Sequence, residues 1–336
     1  MKKSLIALAV AGAFAAPAFA ATGNVDVYGI VSVAVEDNDV SGVDMQVTDR
    51  VSRIGFKGSE DLGGGLKAIW QIESGLGGGA TGVGTGTLAS RNTFVGLSGD
   101  FGTFLMGRHD TPYKLGTGSL DPFSDTVADY NNGCILGCVN AVHDYRSPQA
   151  IAYISPTWSG FHFAAAAVAT NTAGNLNSGD TVDAISATGV YVNGPLFASL
   201  SYQNVEEAAN VLNATLGLPT PSTPALPAGT GSDAWKLGLG YTFGDAKVGF
   251  IYENVDVENV DDISTWMLNG VYNMGPIALK AAYGNQDFMN VDSTYWAIGA
   301  DYSLSKRTTS YFVYTNTDVD LVGDVGSWAL GLKHSF

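Results

Sequence analysis

Charge is scarce in this chain and uneven in sign: 14% of its 336 residues are Asp, Glu, Lys or Arg, with 32 acids against 16 bases. A basic patch that could hold a nucleic-acid backbone therefore has little to be built from, and no nucleic-acid partner is expected. Histidine occurs four times, at His109, His143, His162 and His334, never in a His-Glu-x-x-His arrangement. No Gly-x-Ser-x-Gly segment or other nucleophile motif is found, so the chain does not read as an enzyme. The two cysteines, Cys134 and Cys138, are too few for a disulfide framework, and a zinc site would need further ligands, of which only His143 is near. No calcium-loop spacing occurs, so no metal or cofactor is assigned. Beyond the N-terminus no run reaches the ~18 apolar residues of a spanning helix, and no helical periodicity of any length is present.

What is present first is an export signal. Lys2 and Lys3 precede an apolar run from Leu5 to Ala16, and Ala18-Phe19-Ala20 offers small residues at the two positions a signal peptidase reads. Residues 1–20 are expected to be cleaved, leaving 21–336 as one unit.

Over the whole chain, 43 glycines and 15 tyrosines accompany a mean hydropathy of +0.12, too apolar for a disordered chain. The apolar residues alternate with polar ones. In Leu66 to Glu73, Leu66, Ala68, Trp70 and Ile72 share one strand face, and Lys67, Gln71 and Glu73 the other. The same alternation runs from Tyr295 to Tyr302 and through the terminal segment, where Trp328, Leu330, Leu332, His334 and Phe336 share a face. A chain that stops on an aromatic suggests a membrane-interface anchor. A Lys or Arg facing lipid at mid-depth costs ~2–4 kcal/mol, so the charged face must look inward onto water.

The connections alternate too. Short links are expected at 59–64, 98–101, 156–160, 193–195, 244–245, 274–276 and 304–306. Long polar ones are expected near 37–48, 75–87, 109–143, 170–181, 206–232, 256–262, 287–290 and 316–324. They separate about sixteen strands of roughly ten residues, which is the signature of an all-β transmembrane antiparallel barrel. At that strand number the lumen is an aqueous channel unless something folds into it. The longest link, 109–143, carries the apolar anchors Leu120, Phe123 and Ile135, which a solvated loop does not need. It is therefore expected inside the barrel as a pore-constricting third loop.

Val27-Tyr28-Gly29, Ser52 to Gly58 leading into Glu60-Asp61-Leu62, Phe94 to Leu97, Phe101-Gly102-Thr103 through Gly107-Arg108, Tyr145-Arg146 and Gly331 to Phe336 together resemble the general diffusion porins of Gram-negative outer membranes. The resemblance spans essentially all of 21–336. It implies an outer-membrane homotrimer of sixteen-stranded barrels that passes ions and small hydrophilic solutes by passive diffusion. Outer-membrane lipid, lipopolysaccharide and the barrel-assembly machinery would be its partners, with Phe336 as the C-terminal assembly anchor. Basic wall residues would face acidic loop residues across an eyelet. Arg53, Arg108 and Arg146 match the wall positions, Arg91 matches in a related branch, and Asp121, Asp125 and Asp129 are the natural loop acids. The chain departs from the family where Asp121-Pro122-Phe123-Ser124-Asp125 replaces Pro-Glu-Phe-Gly-Gly, and where Ile30 replaces a basic residue.

The phase of the first strand pair supports the arginines independently: Arg53 is in phase with Gly55 and Lys57, away from Ile54 and Phe56. A guanidinium in mid-strand needs water or a carboxylate. Those arginines either line the pore or brace the wall through ion pairs, and the two roles are compatible. With a nearly balanced eyelet and an acidic outer mouth, weak selectivity with a slight cation preference is expected. Cys134 and Cys138, after export to an oxidising compartment, favour a disulfide over two free thiols. Acidic outer loops either hold divalent cations that bridge lipopolysaccharide phosphates or are simply solvated. A channel with a saturable solute site, an outer-membrane barrel hydrolase and a secreted soluble β-protein are the alternatives.

Overall fold

The computed structural model describes residues 24–39, 45–77, 87–131, 143–169, 182–206, 230–259, 261–288, 291–320 and 323–336. Sixteen antiparallel strands pair each with the next. They are β1 Asn24–Asn38, β2 in two pieces Gln46–Asp49 and Arg53–Gly63, β3 Leu66–Gly75, β4 Thr93–Gly99, β5 Gly102–Asp110, β6 Arg146–Ile154, β7 Phe161–Ala169 and β8 Val182–Asn193. The second half comprises β9 Leu196–Val205, β10 Ser232–Phe243, β11 Ala246–Val257, β12 Ile263–Met274, β13 Ile277–Phe288, β14 Val291–Ser303, β15 Thr308–Val319 and β16 Gly323–Ser335. β16 pairs with β1, Ser32 opposite Lys333 and Val35 opposite Leu330, and the sheet closes without an edge. Closure leaves no strand at an open edge, the condition for a sheet to stand in hydrocarbon.

Most links fall where the alternation places them. The short link expected at 59–64 is the exception: β2 runs on to Gly63 and the turn is made by Gly63, Gly64 and Gly65, all at positive φ, 87°, 62° and 82°. Three left-handed residues in succession are open to glycine at little cost.

Side chains sort by face. Val25, Val27 and Val31 of β1 and Leu330, Leu332 and Phe336 at the chain end are exposed on the outside. Ser32, Ala34, Glu36 and Ala329 of the same strands are buried on the inside. At the long-loop end the outer face carries aromatic contacts, Trp235 with Tyr252, Trp266 with Tyr283 and Trp296 with Tyr314, at 5.2, 5.7 and 5.3 Å between ring centroids. These form one arc of an interfacial aromatic girdle.

One irregularity matters for the lumen. Between Ile30 opposite Arg53 and Val33 opposite Asp49 the β1–β2 register slips by one residue, a bulge centred on Val51 at φ 63°. The extra residue inverts the side-chain parity of β2. Gln46 and Thr48 lie opposite the inward Glu36 and Ala34 before the bulge, and Arg53 and Gly55 opposite Ile30 and Tyr28 after it. Strict alternation would send Arg50 and Arg53 to opposite faces; the bulge turns both to the lumen.

A β-branched residue in the left-handed region is strained by roughly 1–2 kcal/mol. Val51→Gly should therefore raise the urea midpoint of the folded barrel by an amount equivalent to about 1 kcal/mol or less, since glycine also gains unfolded-state entropy. A lower midpoint would show that Val51 is not strained.

Candidate functional site

The link from β5 to β6 enters the barrel. It opens with a single helical turn, α1 Pro112–Leu115, capped by the Thr111 side chain, which accepts from the Lys114 backbone N–H. A 3-10 turn, Gly118–Leu120, follows. Leu120, Phe123, Ala128 and Tyr130 then pack against Ile251, Met267, Ala282, Tyr295, Ala297 and Val313, which are inward residues of β11 to β15. The link leaves one wall and is seated on another, as its apolar anchors predict; Ile135 lies outside the described residues. Tyr295 donates its hydroxyl to the Ala128 carbonyl at 2.6 Å.

Both ends of the loop are tied down by a buried ionic cluster. Lys236 on β10, fully buried, contacts Asp144 at 2.5 Å and Glu253 at 3.4 Å, and its ammonium lies 4.4 Å from the Tyr113 ring centroid. Tyr113 donates to Glu253 at 2.7 Å. Burial pushes the Asp144 carboxyl up, against the opposing pull of Lys236. Sequence inspection missed this cluster, because nothing in a single lysine on an alternating strand signals that a distant loop will cover it.

His143 and Ser232 approach to 2.9 Å and superficially form a nucleophile–base pair. Gln203 Nε2 donates to His143 Nδ1 and to the His143 carbonyl, both at 3.0 Å, so the ring proton sits on Nε2 and is given to Ser232 Oγ. Ser232 in turn donates to the Asp256 carbonyl. The imidazole cannot take the serine proton, and burial with the Lys236 charge nearby lowers its pKa to about 3. His162, between Phe161 and Phe163 on β7, pairs through its backbone strand with Val190, and its imidazole makes no hydrogen bond among the described residues.

On the facing wall, β1 to β6 carry a band of guanidinium–carboxylate pairs. Arg53 is bidentate to Asp125, both contacts 3.1 Å, and Lys333 reaches the same carboxylate at 3.3 Å. Arg91 donates to Glu73 at 2.6 Å, and Tyr28 donates to the other oxygen of Glu73 at 2.9 Å. Arg146 meets Asp110 at 3.1 Å and Asn92 at 2.7 Å, with Lys114 at 3.5 Å from Asp110. Arg50 is bidentate to Glu36. Gly55 makes room for part of this: a Cβ there would stand 2.2 Å from the Tyr28 ring that holds Glu73.

The sequence-derived candidates divide clearly. Arg53, Arg91 and Arg146 lie in the band. Arg108 makes no ion pair with it among the described residues; it lies opposite Thr93, at the register irregularity between Gly107 and His109. Of the loop acids, Asp125 alone meets an arginine. Asp121 accepts from the Phe123 backbone N–H, and Asp129 from those of Asp125 and Asn131, so both cap turns within the loop. Burial raises both carboxyls, with Asp129 adding to the effect on Asp121. Arg50, Glu36, Glu73, Asp110, Lys114 and Lys333 complete the band, and none of them was selected, although the alternation put Glu73 on the inner face. Cys134 and Cys138 lie outside the described residues, while Phe336 sits on the outer face over Gly29, their backbones bonded both ways at 3.1 Å.

A closed barrel with girdled outer face, wet inner face and an inserted third loop is the geometry of a transmembrane channel. The family profile described as Gram-negative porin matches residues 7–321. The chain belongs to the Gram-negative porin family. It is 30% identical to a major outer membrane protein P.IB of Neisseria meningitidis serogroup B over the full length of both chains. An outer membrane porin protein of Bordetella pertussis is 31% identical, covering 72% of this chain and 69% of that one. Among solved structures, an anion-selective porin from Comamonas acidovorans superposes with TM-score 0.73 at 25% identity, covering 94% of this chain and all of that one. An OmpF of Salmonella typhi shares the fold, with TM-score 0.69 at 15% identity, over 95% of this chain and 99% of that one. The chain is an outer-membrane diffusion channel of the sixteen-strand porin class, and not an enzyme.

Two outcomes follow for this porin. Lys236→Ala leaves two buried carboxylates without their cation, a loss of about 3–5 kcal/mol; single-channel current should become noisier as the loop loosens, and unchanged noise and melting would show the cluster is not the tether. Burial raises the Asp125 carboxyl, but hydrogen bonds from Arg53 and the charges of Arg53 and Lys333 outweigh it and hold its pKa below the ordinary range. A depressed pKa gives stability that is present above about 3.9 and lost as pH falls through the lowered value. Loop noise from this tie should therefore be constant from pH 8 to about pH 4 and rise only below, which a pH series on one channel checks.

Proposed function

We propose that the channel is a general diffusion pore, assembled as a homotrimer, whose narrow zone weakly prefers anions. The observation that carries the sign is the pairing in the band. Four arginines face Glu36, Glu73, Asp110 and Asp125, and two of those acids are each shared with a further lysine, Lys114 on Asp110 and Lys333 on Asp125. The band therefore holds two cations more than anions. An acidic outer mouth acts only over a Debye length of ~8 Å at physiological salt, so the band governs the narrow zone. This is the opposite sign to the sequence expectation, which took the eyelet, with Asp121 and Asp129 in it, as nearly balanced and let the acidic outer mouth set a slight cation preference.

Arg53, Arg91 and Arg146 with Asp125 are assigned as pore-lining and bracing at once, whereas Arg108, Asp121 and Asp129 are not assigned to the eyelet. Permeants are small hydrophilic solutes and ions moving down their own gradients. Export by residues 1–20 and a Cys134–Cys138 disulfide remain part of the proposal on the residue patterns, and contact with lipopolysaccharide and delivery by the barrel-assembly machinery through Phe336 on the family resemblance.

The test is the zero-current potential of the reconstituted protein in a potassium chloride gradient. It should carry the sign of chloride preference at low salt, shrink as salt is raised, and shift toward potassium in the Lys114→Gln/Lys333→Gln double variant. A potassium preference in the unaltered protein would overturn the assignment.

A further inference from the structure

The geometry points to a solute-binding subsite on the lumen wall of this porin, beyond the arginine band, that takes zwitterionic α-amino acids with apolar or aromatic side chains. It rests on the channel reading above but adds a saturable step to it. The feature is a cavity of about 400 Å³ lined by Asp26, Lys57, Ser59, Ile69, Gln71 and Phe94. Lys57 stands four residues from Arg53 on β2, ~13 Å toward the short-turn end at ~3.3 Å per residue. A solute that has passed the band meets it on the way out.

Its charges are unusual in being left open. Asp26 on β1 and Lys57 on β2 are direct cross-strand partners on the inner face. Such partners have Cβ atoms ~5 Å apart, and opposite charges so placed ordinarily pair. Here they form no ion pair among the described residues; the Lys57 ammonium leans over the Tyr28 ring, 5.4 Å from its centroid. Tyr28 is itself held in place by its hydrogen bond to Glu73. One wall thus presents, on adjacent strands, a carboxylate and an ammonium that form no ion pair among the described residues.

Next to them lies an apolar platform. Ile69 and Phe94 line the same cavity, and the Phe94 ring is fixed edge-on by His109, with centroids 5.3 Å apart at 61°. An α-amino acid carries an ammonium and a carboxylate on one carbon, the two charges complementary to Asp26 and Lys57 on adjacent strands, with its side chain as a third arm. The ammonium meets Asp26, the carboxylate meets Lys57, and the side chain rests on Phe94 and Ile69. A plain anion finds Asp26 repelling it, and a plain cation finds Lys57 doing so.

The experiment uses the full-length protein in planar bilayers with L-phenylalanine, 3-phenylpropanoate (no ammonium) and phenethylamine (no carboxylate) as probes. The expected result is a saturable reduction of the open current by L-phenylalanine, at concentrations at least threefold below those needed with either single-charge analogue. Asp26→Asn and Lys57→Gln should each raise the half-blocking concentration of L-phenylalanine about threefold, as for the loss of one exposed ion pair. Asp26→Asn should improve block by 3-phenylpropanoate, and Lys57→Gln block by phenethylamine, because each removes a repelling charge. Equal block by all three probes, or no block at all in a conducting channel, overturns the subsite and leaves the channel standing. Absence of ion current in the unaltered protein would instead overturn the channel. The comparison of probes needs no variant, so a poorly folding substitution does not decide the result.

Discussion

Everything in this molecule depends on a sheet that closes on itself so that no backbone donor or acceptor faces hydrocarbon. The β16–β1 pairing removes the last edge, and from that moment each strand has one face for lipid and one for water. Lys236, Lys280, Glu253 and Asp301 have only the inner face available, and all four are ion-paired there. The Val51 bulge gains its importance from the same constraint. Parity is so strictly enforced that placing Arg50 and Arg53 together on the wet side requires breaking it, at the cost of a strained residue.

Loop 3 is a second structural unit that uses the lumen as its core. Its anchors are seated on Ile251, Met267 and Val313, inward residues that would be out of place against bulk water. Its stem is locked at Lys236 and its tip at Arg53, so it is held at two points on nearly opposite walls. Narrowing is therefore a fixed property of the folded chain. The charges that decorate the tip are largely spent on its own geometry: Asp129 accepts the backbone N–H of Asp125, which itself sits at φ 64°, and that turn aims the Asp125 carboxylate at the wall.

The legible part of the sequence was whatever obeys a period. Alternation and link spacing give the strand number, the closure and the inner phase of Arg53, since these follow from two-residue periodicity and turn chemistry alone. The bulge is invisible to such a pattern, because Arg50-Val51-Ser52 differs from a regular strand only in backbone conformation. Loop acids were read by type and could not be read by direction: Asp121 and Asp129 look identical to Asp125 in one dimension, and only the turns they cap separate them. Arg108 was selected by family matching, and at the irregularity between Gly107 and His109 it makes no ion pair with the band among the described residues.

Pairing on the wall also decides what kind of field the pore can have. Were the arginines balanced by acids across the lumen, charge would be separated over the whole opening and the field would run transversely through the permeating solute. With Glu73 2.6 Å from Arg91 and Asp110 3.1 Å from Arg146, each dipole closes within its own wall and its field decays over a few ångströms. What survives at the pore axis is the unbalanced remainder, carried by Lys114 and Lys333 because they share acids already taken by arginines. Two ammoniums on flexible stems in water make a weak, screenable bias rather than a binding site. A channel built this way stays permeable to many solutes while tilting the traffic by charge.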